Sequence, residues 1–251
     1  MKIRLLSDLH LEGYACDYEP QGEDVLVLAG DIHTRCRHEE ILDQVPENIQ
    51  ILFVAGNHEY YRGEFHEVNR YLRALESEYA NFKWLDNEGV QIDGVDFYGG
   101  TMYTDFSLDG DVFRPIAENA AQFGINDFRM IRVYENEQDR FWGIADHKRE
   151  FDKYVRGLQE YLIKTEGQRR VVISHFAPHP RTVAEQFQGS PLNPYFTVDM
   201  ERYMGWEGLW LYGHTHSSCD MMIGDTRLVA NPRGYGYENA KAFDRNMILE
   251  V

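Results

Sequence analysis

The chain has 251 residues, with 42 Asp or Glu against 25 Lys or Arg, so its formal charge at pH 7 is −17. Charged residues are 27% and hydrophobic residues 43%, ordinary for a soluble globular protein with enough apolar material for a full core. The acidic balance repels polyanions, and no basic stripe of the kind a duplex nucleic acid needs is found, whereas divalent cations are favoured by such a field.

In chain order, a first strand covers about residues 2–7 and runs Ile3-Arg4-Leu5-Leu6 into Ser7-Asp8-Leu9-His10. After a polar segment at 12–23, Val25-Leu26-Val27-Leu28-Ala29 is unbroken by polar residues, reads as a strand buried on both faces, and runs into Gly30-Asp31. His38 to Val45 reads as a short helix stopped by Pro46. Ile51-Leu52-Phe53-Val54-Ala55 is another buried strand, and it delivers Gly56-Asn57-His58-Glu59. From Phe65 to Tyr79, Phe65, Val68, Tyr71, Leu72 and Leu75 fall at helical spacing. Phe82–Leu85, Val90–Ile92 and Val95–Tyr98 are predicted short strands, with Asp93-Gly94 as a hairpin turn between the last two.

Residues 103–150 differ in character. They are rich in aromatics, Asp, Asn and Arg with weak periodicity, and read as an irregular, partly helical insert across the strand ends. Residues 144–164 read as a helix, and Val171-Val172-Ile173-Ser174 as a strand running into His175. A loop holding Pro178, Pro180, Pro191 and Pro194 follows. Leu209-Trp210-Leu211-Tyr212 runs into Gly213-His214-Thr215-His216, strands follow at about 219–223 and 226–230, Asn231 to Tyr237 is rich in turn residues, and Met247 to Val251 closes as a strand. No repeat or low-complexity linker divides the chain, so one domain over 1–251 is expected, with 103–150 capping the site. Cys16, Cys36 and Cys219 are scattered without a CxxC pair, which points to reduced thiols and the cytoplasm. The apolar run after Met1 is too short for a signal peptide, and none reaches the roughly 18 residues of a membrane span.

The strand ends carry the chemistry. In α/β sheets ligands bind at the C-terminal ends of strands. Five apolar strands deliver Asp8, His10, Asp31, Asn57, His175, His214 and His216 there. Carboxylate, amide oxygen and imidazole all ligate divalent metals. Seven such groups are too many for one tetrahedral ion and suit two ions sharing a carboxylate. Two ions about 3.5–4 Å apart clamp the attacking and leaving oxygens of a phosphoryl displacement, and they lower the pKa of a shared water so that hydroxide is available near neutral pH. Singly each piece is weak: a loop Asp and His, a Gly-Asp turn, or a structural histidine explains it. Gly213-His214-Thr215-His216 is stronger, because Gly-His-any-His arises by chance in roughly one chain of this length in a hundred. The weight comes from all five occurring in order, each directly after an apolar strand.

Asp-x-His, Gly-Asp, Gly-Asn-His-Glu, an apolar run to His, and Gly-His-x-His together resemble the signature of the calcineurin-like metallophosphoesterases, here spanning Asp8 to His216. The resemblance implies an α/β fold, a four-layer α/β/β/α sandwich with the metal site at the strand ends. It implies one ion held by Asp8, His10, Asp31 and His216 and a second by Asp31, Asn57, His175 and His214, the ions being drawn from Mn, Fe, Ni or Zn. It makes His58 the catalytic, non-ligand histidine that stabilises or protonates the oxygens in flight. The Ser/Thr protein phosphatase branch has Gly-Asp-x-x-Asp-Arg-Gly; here Gly30-Asp31-Ile32-His33-Thr34-Arg35-Cys36 has Thr34 at the second Asp, which removes the group expected to orient His58. The Asn231-Pro232-Arg233-Gly234-Tyr235 ending resembles bacterial stand-alone members.

Further candidates surround the ligands. Arg233 suits a substrate phosphate or, equally, a loop anchor paired with a carboxylate. Tyr103, Asp105, Asn126, Asp127 and Arg129 on the insert are pocket-lining candidates, Tyr103 and Asn126 first among them. His33 and His179 read as solvated loop histidines. The expected partner is a small phosphoester, with no nucleic acid and no membrane. The competing readings are a nuclease or protein phosphatase of the same superfamily and a non-catalytic scaffold; the intact ligand set with His58 argues against the scaffold, the charge against the nuclease.

Overall fold

The structure is a computed structural model that describes residues 1–34, 36–236, 238 and 242–251. Arg35 and Tyr237, which fall in two of the stretches singled out above, lie outside the described residues.

Strands β1 (Lys2–Leu6) and β2 (Val25–Ala29), the short helix α1 (Glu39–Leu42), β3 (Gln50–Val54), helix α2 (Phe65–Glu78) and β4 (Phe82–Trp84) form the first half. A hairpin of β5 (Glu88–Ile92) and β6 (Val95–Gly99) follows, turning through Asp93 and Gly94, both at positive φ as a two-residue primed turn requires. Then come α3 (Arg114–Gly124), α4 (Asp127–Met130), a hairpin of β7 (Arg132–Glu135) and β8 (Gln138–Phe141), and the long helix α5 (Ile144–Lys164). The chain ends with β9 (Arg169–Ile173), α6 (Asn193–Phe196), β10 (Gly208–Tyr212), β11 (Cys219–Ile223), β12 (Thr226–Ala230) and β13 (Ile248–Glu250).

One sheet has the order β13-β1-β2-β3-β4 and the other β11-β12-β10-β9-β6-β5, with the ligand-bearing strands running parallel at the centre of each. The continuous apolar runs follow from burial on both faces. Ile3, Leu5, Val25, Val27, Leu52 and Val54 of the first sheet pack against Val171, Ile173, Leu209 and Leu211 of the second, forming the core between the sheets. The alternate residues Leu6, Leu26, Leu28, Ile51 and Phe53, and Val172, Trp210 and Tyr212, face outward into the second core, which also takes in Leu72 of α2 and Tyr154 and Leu158 of α5. Period-2 alternation between two buried environments thus builds the α/β/β/α layering. Arg4 is the exception on β1: it is fully buried, donates to the Glu19 and Arg245 carbonyls and pairs with Glu23. Among the described residues no helix is long and apolar enough to cross a membrane.

Segment 103–150 holds α3, α4 and the β7–β8 hairpin, so it is more ordered than its sequence predicts. The hairpin turns through Asn136 and Glu137 at φ 53° and 62°, a primed turn without glycine; Asn at its first position is the one local signal that marks it.

Candidate metal centre

The strand ends converge as expected. β1 leads to Asp8 and His10, β2 to Asp31, β3 to Asn57 and His58, β9 to His175, and β10 to His214 and His216, so the rim is assembled from both sheets. The backbone there is unusual. Asp8, His10, Asp31, His214 and His216 have φ of 51°, 44°, 55°, 68° and 48°. Left-handed backbone costs a non-glycine residue on the order of 1–3 kcal/mol, least for Asp, Asn and His. It persists because the loops are tied together: Asp8 N–H donates to Gly30 O at 2.9 Å, His10 N–H to Asp31 O at 3.0 Å, and Gly213 N–H to His175 O at 3.0 Å. Gly30 (φ 86°) and Gly56 permit the close approach of the loops. A Cβ on Gly30 would lie 2.3 Å from His175 Nδ1, and one on Gly56 would lie 2.1 Å from Asp31 Oδ1.

Two sets of ligand atoms result. Asp8, His10, Asp31 and His216 present atoms within 4.8 Å of one another, as do Asp31, His175 and His214; Asp31 belongs to both. Asn57 Oδ1 lies 3.3 Å from His175 Nε2, beside the second set. His10, Glu12 and His58 form a third set with the same spread.

The donor geometry fits cations. His10 Nδ1 faces Glu12 Oε1 at 3.2 Å, His216 Nδ1 bonds Glu238, and His175 Nδ1 faces the Ala29 carbonyl at 2.9 Å. Each of those oxygens accepts only, so each Nδ1 carries the proton and, in the neutral ring, each Nε2 turns a lone pair inward. His10 Nε2 and His216 Nε2 then face each other at 3.1 Å, and His175 Nε2 faces His214 Nδ1 at 3.1 Å. The opposed lone pairs of His10 and His216 need a positive charge between them, whereas between His175 and His214 either ring can donate to the other. Protons meet that need in the metal-free chain. Burial pushes the His175 imidazole down, but Asp31 at 3.4 Å outweighs it and raises the pKa to about 10. Burial likewise opposes His216, yet Asp8 and Glu238 raise it to about 9. Burial would raise Asp31 and Asp8, but the neighbouring imidazoles hold Asp31 well below the usual carboxylate range and lower Asp8. His214 is held well below its ordinary value by burial and by His175. Carboxylate, amide and imidazole donors suit first-row divalent ions such as Mn, Fe, Ni and Zn.

The other candidates sort themselves. His58 starts a short 3-10 turn, donates its N–H to Asp31 Oδ1 at 2.9 Å, and holds its Nε2 3.9 Å from Asp31 Oδ2. Its ring stacks on Tyr61 at 4.1 Å, which supplies an orienting surface where Thr34 supplies no carboxylate. Asn126 lines a cavity of about 560 Å³ beside the centre, together with Glu12, Arg37, His58, Arg62 and Tyr235. Tyr103 does not: it is 2% exposed, packed on Trp142, His147 and Phe176, because the insert turns its aromatic ring into the core. Arg233 anchors a loop through the Tyr14 and Ala15 carbonyls rather than through the expected carboxylate. His33 and His179 are buried rather than solvated; His33 lies 3.7 Å from Glu40 and His179 3.3 Å from Glu201. Sequence reading missed Glu59, Glu12, Glu238 and Tyr235 as supports. Only Glu12, two residues from His10, and Glu59, inside Gly-Asn-His-Glu, had a positional signal. Tyr235, stacked on His10 at 4.3 Å, arrives because residues 232–234 pair alongside Ser7 and Asp8.

Comparisons with known proteins show the family of the chain. The family model described as calcineurin-like phosphoesterase matches residues 1–218. A protein of Acanthamoeba polyphaga mimivirus, itself uncharacterised, is 24% identical over 265 aligned residues, which cover 94% of this chain and 92% of that one. Among solved structures, the phosphopantetheinyl hydrolase of Mycobacterium tuberculosis superposes with a TM-score of 0.70 at 15% identity, over 100% of this chain and 95% of that one. A 5′-nucleotidase of Staphylococcus aureus, so described provisionally, gives 0.50 at 13% identity over 93% of this chain and 49% of that one. These two likenesses bear on the fold. With the Asp and His clusters gathered on one rim and the family match running from Met1 to Ser218, the chain belongs to the calcineurin-like phosphoesterases, metal-dependent hydrolases of phosphoesters.

Proposed function

We propose that the chain is a dinuclear metal-dependent hydrolase of a small phosphoester, a phosphodiester, nucleotide or phosphomonoester, working in the cytoplasm as a single domain with segment 103–150 as its cap. The observation that carries the reading is Asp31, one carboxylate common to two sets of metal-capable side chains. Asp8, His10 and His216 would hold one ion with it; Asn57, His175 and His214 would hold the other. Two bound ions supply Lewis acidity and a nucleophile at neutral pH.

The remaining work falls to the chain. His58 is 17% exposed at the cavity wall and within reach of Asp31, a place from which its Nε2 can give a proton to the leaving oxygen. Tyr235 and Tyr61 line the same cavity, the first stacked on His10 and the second on His58. Arg37 on the same wall is paired with Glu40, whereas Arg62 has no ion pair among the described residues and can take an anionic substituent. A cavity of about 560 Å³ suits a ligand of small-molecule size. The solved relatives whose names refer to phosphopantetheinyl and nucleotide hydrolysis are compatible with that size class.

The test is elemental analysis of the metal-loaded chain, joined to a hydrolysis screen over phosphomonoesters, phosphodiesters and nucleotides with Mn²⁺, Fe²⁺, Ni²⁺ and Zn²⁺. Two ions per chain and turnover of a small ester abolished by chelator are expected. One ion or none in the wild type, or loss of only one ion in Asp31→Asn, would sink the shared-carboxylate reading.

A further inference from the structure

Asp127 is fully buried, yet it is no member of the metal-capable sets. It comes from the first turn of α4 in the insert, and its carboxylate reaches toward the site. Oδ1 accepts from Asn57 Nδ2 at 2.9 Å and from the Tyr61 hydroxyl at 2.9 Å; Oδ2 accepts from the Tyr195 hydroxyl at 2.6 Å. The second proton on Asn57 Nδ2 points to the Tyr61 oxygen at 3.3 Å.

An asparagine amide can sit either way round, and only its partners decide which end faces a metal. Both amide protons of Asn57 are taken, one by Asp127 and one by the Tyr61 oxygen, so Oδ1 has to face His175. The same carboxylate fixes the Tyr61 ring, on whose face His58 stacks. The insert is held in register for this task. Arg62 N–H donates to Met130 O at 2.8 Å, Arg132 N–H to Gly63 O at 3.0 Å, and Tyr134 N–H to Glu64 Oε1 at 3.1 Å, tying α4 and β7 to the turn just after His58.

We propose that Asp127 is a positioning residue for the metal centre: it aims the Asn57 amide oxygen at the ion shared with His175 and His214 and braces Tyr61 behind His58. The inference rests on the dinuclear reading above and gives segment 103–150 a role beyond covering the site.

The test is calorimetric titration of the metal-free chain with Mn²⁺, comparing wild type, Asp127→Leu and the pair Asn57→Asp with Asp127→Leu. Leucine, unlike asparagine, leaves no oxygen for Asn57 Nδ2 and the Tyr61 hydroxyl, which both bond Asp127 Oδ1, so the Asn57 amide loses the partner that aims it. The expected loss is ten- to hundredfold in affinity for one ion, the usual effect of a lost supporting bond. In the double variant a carboxylate at 57 has an oxygen at each end and needs no aiming, and at least tenfold of the loss should return. Near-wild-type affinity in a folded Asp127→Leu, or a double variant no better than the single one, overturns the proposal. If the single variant does not fold, recovery of folding and Mn²⁺ affinity in the double variant supports it, and no recovery overturns it. The wild-type stoichiometry judges the dinuclear reading separately, because the affinity ratio between variants judges Asp127 whatever that number is.

Discussion

Glu59 holds Asp31 by its main chain: Glu59 Oε2 accepts the Asp31 N–H at 2.9 Å, while the Asp31 carboxylate takes the His58 N–H on Oδ1 and turns Oδ2 to His175 at 3.4 Å. The other Glu59 oxygen accepts from Ile32 at 2.7 Å and His33 at 3.3 Å, and Gly56 N–H also donates to Oε2. A wholly buried carboxylate therefore satisfies four N–H groups of the two loops that carry Asp31 and Asn57. Glu59→Gln puts an NH₂ against N–H donors. Each buried donor left unsatisfied costs about 1–3 kcal/mol, so urea unfolding of the metal-free chain should show a loss of about 2–5 kcal/mol, with weaker binding of the ions. A loss under about 0.5 kcal/mol, the range of ordinary surface substitutions, would mean that the loops hold their shape without Glu59.

Much of this site was legible before the fold was. Asp8, Asp31, Asn57, His175 and His214 each follow an apolar strand whose register and C-terminal end are set by burial on both faces, a local pattern with a long-range consequence. The supports were not legible, because their partners are fixed by tertiary pairing. Glu238 reaches His216 across 22 residues, and Asp127 reaches Asn57 across 70. Aromatics carried no sign of which way they face: Tyr103 of the insert packs inward, while Tyr61 just after His58, not singled out at all, braces that histidine. The β7–β8 hairpin escaped because its turn has Asn136-Glu137 where glycine is the usual marker.

His58 should separate from the ligands in a kinetic experiment. It is adjacent to Asn57, reaches the cavity, and also belongs to a possible cation set with His10 and Glu12. As a proton donor it contributes about 10²–10⁴-fold. His58→Ala is expected to lower kcat by that range with both ions retained, as read by elemental analysis on the same sample. Loss of an ion along with kcat would make it a ligand.

His147 gives the metal-independent part of the acid sensitivity. It is wholly buried among Tyr103, Phe106, Phe176 and Tyr195, with Thr104 Oγ1 at 3.3 Å as its polar neighbour, and burial pushes its pKa down to about 3. Folded, it stays neutral; unfolded, it takes up a proton near its ordinary value. Between those two values the unfolded chain binds more protons, so stability falls as pH falls, by up to about 1.4 kcal/mol per unit below pH 6.5. His147→Phe removes that term. The stability difference between variant and wild type, measured by denaturation at pH 7, 6 and 5, should move in favour of the variant as pH drops. A difference that does not change with pH would show that His147 titrates normally in the folded chain.

Substrate size is expected to follow from charge and access together. The net charge of −17 gives no long-range attraction for a polyanion, and binding of duplex DNA depends on such attraction and weakens steeply with salt. The cavity beside the centre is lined by Asn126 and Met130 of the insert and is about 560 Å³, a size that suits a small ester. For a small ester, ions held at the centre would supply local positive charge, and Arg62 on the wall, which has no ion pair among the described residues, can take a second anionic group. The kcat/KM for a nucleotide or small phosphodiester should therefore change little between 50 and 200 mM salt, within about threefold, where a protein making 6–10 phosphate contacts loses about 10³–10⁵ in affinity. Arg62→Ala should raise KM for substrates with a second anionic group by about tenfold, the loss of one charge-assisted bond, while a neutral aryl ester is affected least. Duplex DNA cut faster than any small ester, with a steep salt slope, would overturn the assignment of a small substrate.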